Sequence, residues 1–244
     1  ADGQITLTAE RADASGLNWF GPAPDPDTPP ELTADQTVAV DRVIQAIDAP
    51  GADALLLHGV TGSGKTEVYL RAIEAARARG RSSLVLVPEI ALTPQFLGRL
   101  RARLGERVAV WHSALAPVER AAEDRRIRSG EADVVMGARS AVFAPLRDIG
   151  LVVVDEEHDS SYKQDSTPRY DARQVAYKRA TDAGAALVYG SATPRPEAWH
   201  ALPRITLAER ADGAVLPPID VVDMRTQHAG PISRPLARAL QEAA

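Results

Sequence analysis

The 244-residue sequence contains no cysteine, no long apolar run and no excess of positive charge. Without cysteine, neither a disulfide framework nor a thiolate metal site can form, so we expect no zinc site. No apolar run approaches the roughly 18 residues of a membrane span, and no secretory signal is visible. The net charge of −5 argues against indiscriminate binding to nucleic acid but leaves room for a local basic groove. We therefore expect a cytoplasmic protein without a membrane partner.

A phosphate-binding motif is the strongest local signal in the sequence. Ala54–Leu57 is an apolar run typical of a short buried strand. The residues Gly59–Thr66 then read Gly-Val-Thr-Gly-Ser-Gly-Lys-Thr and fit the pattern G-x-x-x-x-G-K-[ST]. Glu67–Arg79 follows with apolar residues at helical spacing, so strand, loop and helix stand in the order that the motif requires. The motif predicts that the chain binds ATP with Mg²⁺.

The residue types of this loop suit a bound phosphate chain. Gly62 and Gly64 permit backbone conformations closed to residues with a Cβ, so successive N–H groups can point at phosphate oxygens. Lys65 is expected to reach the β- and γ-phosphates, and the Thr66 hydroxyl to ligate Mg²⁺. Gln36 lies near the start of a helix upstream, where its amide can read the edge of adenine. The predicted nucleotide-binding residues are Gln36, Gly59, Thr61, Gly62, Ser63, Gly64, Lys65 and Thr66.

Strand and helix patterns alternate through most of the chain. Apolar strands are predicted at 84–87, 108–111, 133–136, 151–154 and 186–189, and helices lie between them. Leu151–Val154 shows no polar alternation, as expected for a strand whose sheet is covered on both faces. The pattern predicts an α/β fold of the RecA-like, doubly wound class, with a mainly parallel sheet and helices on both faces. The regularity fades after Pro194, where only 219–222 could form one last strand and 231–243 a helix.

A run of acidic residues follows the strand Leu151–Val154. It reads Asp155-Glu156-Glu157-His158, and ligands bind at this end of an open parallel sheet. Asp155 suits a Mg²⁺ role, and Glu156 is placed to polarise a water for attack on the γ-phosphate, with Lys65 as the third catalytic residue. The alternative is a solvated acidic turn without chemistry.

A family resemblance extends this interpretation. Asp-Glu-x-His followed by Ser191-Ala-Thr193 resembles the nucleic-acid translocases of helicase superfamily 2. The segments Gly59–Tyr69, Val87–Gln95, Gly137–Pro145 and Asp155–Gln164 narrow the resemblance to the PriA family of bacterial primosomal proteins. That resemblance implies a 3′→5′ DNA-dependent ATPase and helicase that acts at abandoned forks and helps to reload the replicative helicase. It further implies DNA, primosome and helicase-loading partners and a bacterial, nucleoid-associated location.

The resemblance also assigns roles to individual residues. His158, Ser191 and Thr193 are implied to couple the nucleotide state to movement of the motor lobes. An aromatic-rich loop, Ser160–Tyr170, is implied to couple DNA contact to hydrolysis. Hydroxyls, amides and cations at strand ends can hold a phosphate backbone without reading bases. The residues implied to contact DNA are Thr93, Gln95, His112, Ser113, Arg139, Ser140, Tyr162, Lys163, Arg169 and Tyr170.

Domain boundaries are expected near both ends of the chain. Residues 21–30 hold five prolines, so we interpret 1–31 as a proline-rich linker from a missing upstream domain. Residues 32–225 are predicted to form a RecA-like ATP-binding helicase lobe. Residues 226–244 are predicted to be a connector or the start of a missing second lobe. Because that second lobe normally supplies an arginine finger, we expect the isolated lobe to bind nucleotide but to turn it over poorly.

Two other functions remain open from the residues alone. A phosphotransferase uses the same phosphate loop, but it does not need the Asp-Glu-Glu-His or Ser-Ala-Thr segments. A non-enzymatic fork-binding or partner-docking module, in which ATP is only structural, is the second alternative.

Overall fold

The computed structural model describes residues 28–49, 51, 54–88, 94–213, 221–226 and 232–242. The chain divides into two compact units, Ala1–Gly213 and Ala214–Ala244. The second unit contains a 3₁₀ turn, Met224–Thr226, and helix α7, Arg234–Glu242. All other helices and strands described below belong to the first unit. Within the described ranges, no helix is long and apolar enough to cross a membrane.

A seven-stranded sheet forms the centre of the first unit, and its strands run in the order β3-β4-β2-β5-β8-β1-β9. All neighbouring strands of this sheet pair in parallel. Their bounds are β1 Ala54–Gly59, β2 Ser82–Leu86, β3 Val108–Trp111, β4 Val134–Gly137, β5 Ile149–Val154, β8 Ala186–Ser191 and β9 Arg204–Leu207. A separate antiparallel hairpin pairs β6, Lys163–Gln164, with β7, Tyr170–Asp171. The order places β5, β8 and β1 side by side.

Helices cover both faces of the sheet. Their bounds are α1 Ala34–Asp48, α2 Lys65–Ala78, α3 Pro94–Leu104, α4 Pro117–Ser129, α5 Ala172–Ala183 and α6 Pro196–Ala201. Apolar residues of α1, α2 and α3 pack in one core cluster with the strands. Residues of α4 and α5, with a 3₁₀ turn at Arg139–Phe143, pack in a second cluster. Because β5 contributes residues alternately to the two clusters, every residue of this strand is buried.

The observed elements confirm the predicted doubly wound, parallel α/β class. The strands predicted from apolar runs are all present, and the helices lie between them as expected. The sequence did not predict β9, because Arg204 and Thr206 are exposed on this short edge strand and interrupt the apolar pattern. Of the possible strand at 219–222, residues 219 and 220 lie outside the described residues, and 221 and 222 are irregular.

Candidate functional site

The phosphate loop connects β1 to α2 at the carboxyl edge of the sheet. β1 ends at Gly59, and Gly64 caps the first turn of α2 with φ 82° and ψ 26°. Gly62 also has φ 82°. Both residues occupy the left-handed region, which costs a non-glycine residue about 1 kcal/mol or more. No side chain caps the start of α2, so its first N–H groups and positive dipole end stay available to an anion.

Close packing leaves room in this loop for a ligand but not for larger residues. A Cβ on Gly59 would lie 2.5 Å from Ser63 Oγ, and one on Gly64 would lie 2.2 Å from Gln36 Nε2. The buried Ser63 hydroxyl has no hydrogen-bond partner within the described part of the chain. Lys65 is 9% exposed, and its Nζ donates to the Gly59 carbonyl at 2.9 Å. Three groups therefore suit the phosphates of a nucleotide: the Ser63 hydroxyl, the Lys65 ammonium and the uncapped N–H groups at the start of α2.

Gln36 lies against this loop, while its predicted contact with adenine stays a prediction. Its Oε1 accepts from Thr33 N at 2.9 Å, and Thr33 Oγ1 accepts from Gln36 N, which makes a capping box at the start of α1. Its Nε2 donates to Ser63 O at 3.0 Å. The side chain therefore links α1 to the phosphate loop. A cavity of about 390 Å³ opens beside it and is lined in part by Pro30, Gln36, Gly64, Thr66, Leu70 and Arg99.

The predicted acids follow β5, close to α2. Asp155 Oδ1 accepts a hydrogen bond from Tyr69 Oη at 2.8 Å, so the carboxylate is tied to the phosphate-loop helix. Burial raises the pKa of Asp155 to about 6, and the negative charge of Glu156 adds to the shift while the Tyr69 bond opposes it. Glu156 has φ 45°, an uncommon conformation for a residue with a Cβ.

Few side chains of this site could ligate Mg²⁺, which is usual for this ion in proteins. The described residues contain no cluster of three or more histidine, cysteine or acidic side chains that could hold a metal ion. Thr66 and Asp155 can still fit Mg²⁺, since this ion is usually held by one or two carboxylates, waters and substrate phosphates. Bound phosphates would therefore complete such a site.

The three predicted coupling residues lie together. His158 Nδ1 is 2.8 Å from Ser191 Oγ and 3.5 Å from Glu156 Oε2. Ser191 Oγ accepts from Thr193 N at 3.0 Å. The contacts form a continuous path from Glu156, after β5, to the segment after β8.

Glu157 is a site residue that sequence reasoning missed. Its side chain is fully buried, and it accepts from Arg195 N at 2.7 Å and from Arg195 Nε at 2.8 Å. Arg173 Nη1 donates to the Glu157 carbonyl at 2.9 Å and pairs with Asp171. Glu157 therefore joins the acid turn to β8 and α5. The sequence does not distinguish the role of Glu157 from that of Glu156, because the two are consecutive glutamates.

The residues predicted to contact DNA fall in four segments of the chain, and the three whose side chains the structure describes follow β3, β4 and β5. Ser113, Lys163 and Arg169 are exposed, Arg139, Ser140 and Tyr170 are partly exposed, and His112 is buried. Arg139 Nη1 donates to the carbonyls of Ser161 and Lys163, so it already supports the aromatic-rich loop. Thr93 and the side chain of Gln95 lie outside the described residues. Phe143, 57% exposed and in edge-to-face contact with Tyr170 at 5.0 Å, was not predicted.

The expectation for Tyr162 requires correction. Its side chain is 0% exposed and belongs to the second core cluster, so it presents no face on which a base can stack. Its Oη donates instead to the main-chain carbonyl of Asp155 at 2.5 Å.

Comparison with known proteins adds independent findings. A family model described as DEAD/DEAH box helicase matches residues 33–201. The replication restart protein PriA of Treponema pallidum is 51% identical over 198 residues, which are 79% of this chain and 30% of that relative. PriA of Bacillus subtilis is 45% identical over 204 residues, 82% of this chain and 25% of the relative. The chain thus spans less than a third of these relatives.

This chain is similar to a solved structure of RecG bound to a three-way DNA junction, with 25% identity and a TM-score of 0.56. The aligned region covers 74% of this chain and 24% of the RecG chain. It is also similar in fold to the crystal structure of the Pyrococcus furiosus Hef helicase domain, with 21% identity and a TM-score of 0.50. The aligned region covers 70% of this chain and 37% of the Hef chain. The expected RecA-like fold class is therefore confirmed.

Proposed function

This chain belongs to the DEAD/DEAH box helicase family, and we propose that it is the ATP-binding first motor lobe of a DNA-dependent ATPase and 3′→5′ DNA helicase. We place that helicase in replication restart at stalled forks, with primosome and helicase-loading proteins as partners, because the similar curated proteins are named replication restart protein PriA. In this proposal residues 1–31 link to an upstream domain, 32–225 form the lobe, and 226–244 lead to a second lobe.

One observation carries the proposal. The phosphate loop after β1, the acid turn after β5 and the Ser-Ala-Thr segment after β8 follow three strands that are neighbours in the sheet. Hydrogen bonds join α2, which begins at the phosphate loop, to the acid turn (Tyr69 to Asp155) and the acid turn to the end of β8 (His158 with Ser191). A motor lobe needs this proximity, because phosphate binding, water activation and coupling must respond to one nucleotide.

The side chains support a division of labour. Lys65, released from the Gly59 carbonyl, binds the β- and γ-phosphates, and the N–H groups of the loop hold the phosphate chain. Thr66 and Asp155 hold Mg²⁺, which neutralises charge on the phosphates when bound. Glu156 orients the attacking water. His158, Ser191 and Thr193 relay the state of the site toward the DNA-contacting residues: Arg139, Lys163, Arg169 and Tyr170.

Nucleotide titration tests this proposal directly. We would titrate the chain with a fluorescent ATP analogue and Mg²⁺, beside Lys65→Ala and the control Lys178→Ala. Lys178 is 73% exposed and pairs only with Asp182 among the described residues, so its loss should leave binding unchanged. We expect Lys65→Ala to abolish binding.

Phosphate release with and without single-stranded DNA completes the test. Slow release in both conditions is expected, since the arginine finger of a second lobe can be worth about 10³-fold in turnover. Robust DNA-stimulated release would refute the incomplete-lobe proposal, and phosphate transfer to a small acceptor would favour a phosphotransferase. Absence of binding by the unmodified chain would refute the nucleotide site itself.

A further inference from the structure

We propose that two buried tyrosines, Tyr69 and Tyr162, are positioning residues that hold Asp155 in place for its contact with the nucleotide's metal ion, an inference that rests on the function proposed above. We refer to the pair as the tyrosine clamp. Tyr69 comes from α2 and Tyr162 from the 3₁₀ turn Ser160–Tyr162. Tyr69 belongs to the first core cluster and Tyr162 to the second, so the two hydroxyls reach Asp155 from different clusters.

Tyr69 fixes the carboxylate of Asp155. Its Oη lies 2.8 Å from Asp155 Oδ1, and its side chain is 2% exposed. The Tyr69 hydroxyl supplies the proton of this hydrogen bond, because an ionised carboxylate can only accept. One carboxylate oxygen is thereby committed to α2.

Tyr162 fixes the main chain at the same residue. Its Oη donates to the Asp155 carbonyl at 2.5 Å, and Asp155 N donates to Leu86 O at 2.9 Å. The backbone of Asp155 is therefore held on both sides just before Glu156, whose left-handed φ begins the acid turn. A tyrosine that the family resemblance implied to contact DNA has its hydroxyl at Asp155 instead.

The clamp also connects the site to Arg139. Arg139 Nη1 donates to Ser161 O at 3.2 Å and to Lys163 O at 3.0 Å, the carbonyls on either side of Tyr162. Arginine has five N–H donors, so the remaining ones can still meet a phosphate. The position of Tyr162 thus depends on a side chain that we propose contacts DNA.

Removing single hydroxyls tests the clamp with little change in packing. We would measure the affinity of the chain for a fluorescent ATP analogue in Mg²⁺ and in EDTA, for Tyr69→Phe, Tyr162→Phe and the unmodified protein. The ratio of the two affinities reports metal-dependent binding alone. We expect Tyr69→Phe to lower this ratio by about 10-fold, a typical effect of losing a residue that orients a metal ligand, with the EDTA affinity unchanged. Tyr162→Phe should also lower this ratio.

Tyr189→Phe is the matched control. Tyr189 is also buried, and its Oη donates to a main-chain carbonyl, Arg173 O, at 3.1 Å, and not to Asp155. Tyr189→Phe should lower the free energy of unfolding in urea about as much as the other two variants do. It should leave the ratio of affinities in Mg²⁺ and EDTA unchanged. A second readout needs no nucleotide, because the unfolding free energies of Tyr69→Phe and Asp155→Asn should be non-additive if the two side chains interact.

The outcomes separate the two levels of the proposal. An unchanged ratio in one variant removes that tyrosine from the clamp, and an unchanged ratio in both overturns it. An equal loss in Tyr189→Phe also overturns it, since the effect would then be general destabilisation. If the unmodified chain shows no metal-dependent binding, the proposed function fails and this inference fails with it.

Discussion

Two adjacent carboxylates, Glu156 and Glu157, should differ strongly in the stability that the same substitution costs. Glu157 is fully buried and accepts two hydrogen bonds from Arg195, at 2.7 and 2.8 Å. The side chain of Glu156 is 35% exposed, and its Oε2 lies 3.5 Å from His158 Nδ1. Replacing each glutamate by glutamine keeps its shape and removes its charge. The pair is therefore an internal comparison within one turn.

The expected loss for Glu157→Gln follows from these contacts. A hydrogen bond to a charged group contributes roughly 1.5 to 3 kcal/mol, and breaking a buried ion pair costs roughly 3 to 5 kcal/mol. Glutamine retains one acceptor oxygen, but its amide N–H₂ faces the Arg195 donor. Arg195 is 34% exposed and can recover some hydration, which reduces the cost. We expect a loss of about 2 to 3 kcal/mol in the free energy of unfolding.

Glu156→Gln should change this free energy by less than about 0.5 kcal/mol, as is usual for partly exposed positions without strong contacts. Urea unfolding in metal-free buffer, followed by circular dichroism, measures both variants beside the unmodified chain. Equal losses in the two variants would refute our assignment of Glu157 to structure and Glu156 to chemistry. So would a loss at Glu156 that exceeds the loss at Glu157.

Two further predictions concern the phosphate loop and pH. Gly64→Ala should weaken nucleotide binding by more than about 10-fold, since its φ is 82° and its new Cβ would lie 2.2 Å from Gln36 Nε2. Gly80→Ala, with φ 72° and no neighbour within 4 Å, is the control, and a nucleotide titration compares them. The pKa of Asp155 is raised from 3.8 to about 6 in the folded protein, so the folded state binds the proton more tightly. The contribution of Asp155 to stability without metal should therefore fall by roughly 3 kcal/mol as pH rises from about 3, below the unfolded pKa, to about 7, above the folded pKa. Asp155→Asn should remove this contribution in urea unfolding across pH.

The fold was predictable because its determinants are local. Buried parallel strands such as Leu151–Val154 read as uninterrupted apolar runs, and the helices show their apolar spacing directly. The phosphate loop was predictable for the same reason, since its glycines and Lys65 are consecutive. The strands β6, β7 and β9 were missed because each is too short, or too exposed, for its pattern to be recognised.

The partners of individual side chains were not predictable in the same way. Tyr162 and Tyr170 belong to one polar loop, and the sequence gives no reason to bury one and not the other. The 3₁₀ turn at Ser160–Tyr162 decides this, because it directs Tyr162 into the core while Tyr170 stays partly exposed beside Phe143. Tyr69 fits an ordinary helical core pattern, and its hydrogen bond to Asp155 spans 86 residues. Such pairs depend on strand order, which local patterns do not specify.

Strand order also explains Gly190, which precedes the Ser-Ala-Thr segment. Because β8 lies between β1 and β5, Tyr69 meets Asp155 close to the backbone of β8. A Cβ on Gly190 would lie 1.6 Å from Tyr69 Oη and 3.1 Å from Asp155 Oδ1. Gly190 is thus needed for this contact and not for a left-handed backbone. Gly190→Ala should therefore lower the ratio of nucleotide affinities in Mg²⁺ and EDTA as Tyr69→Phe does. In the Tyr69→Phe background it should lower the ratio little further, and a full additional loss would contradict this explanation.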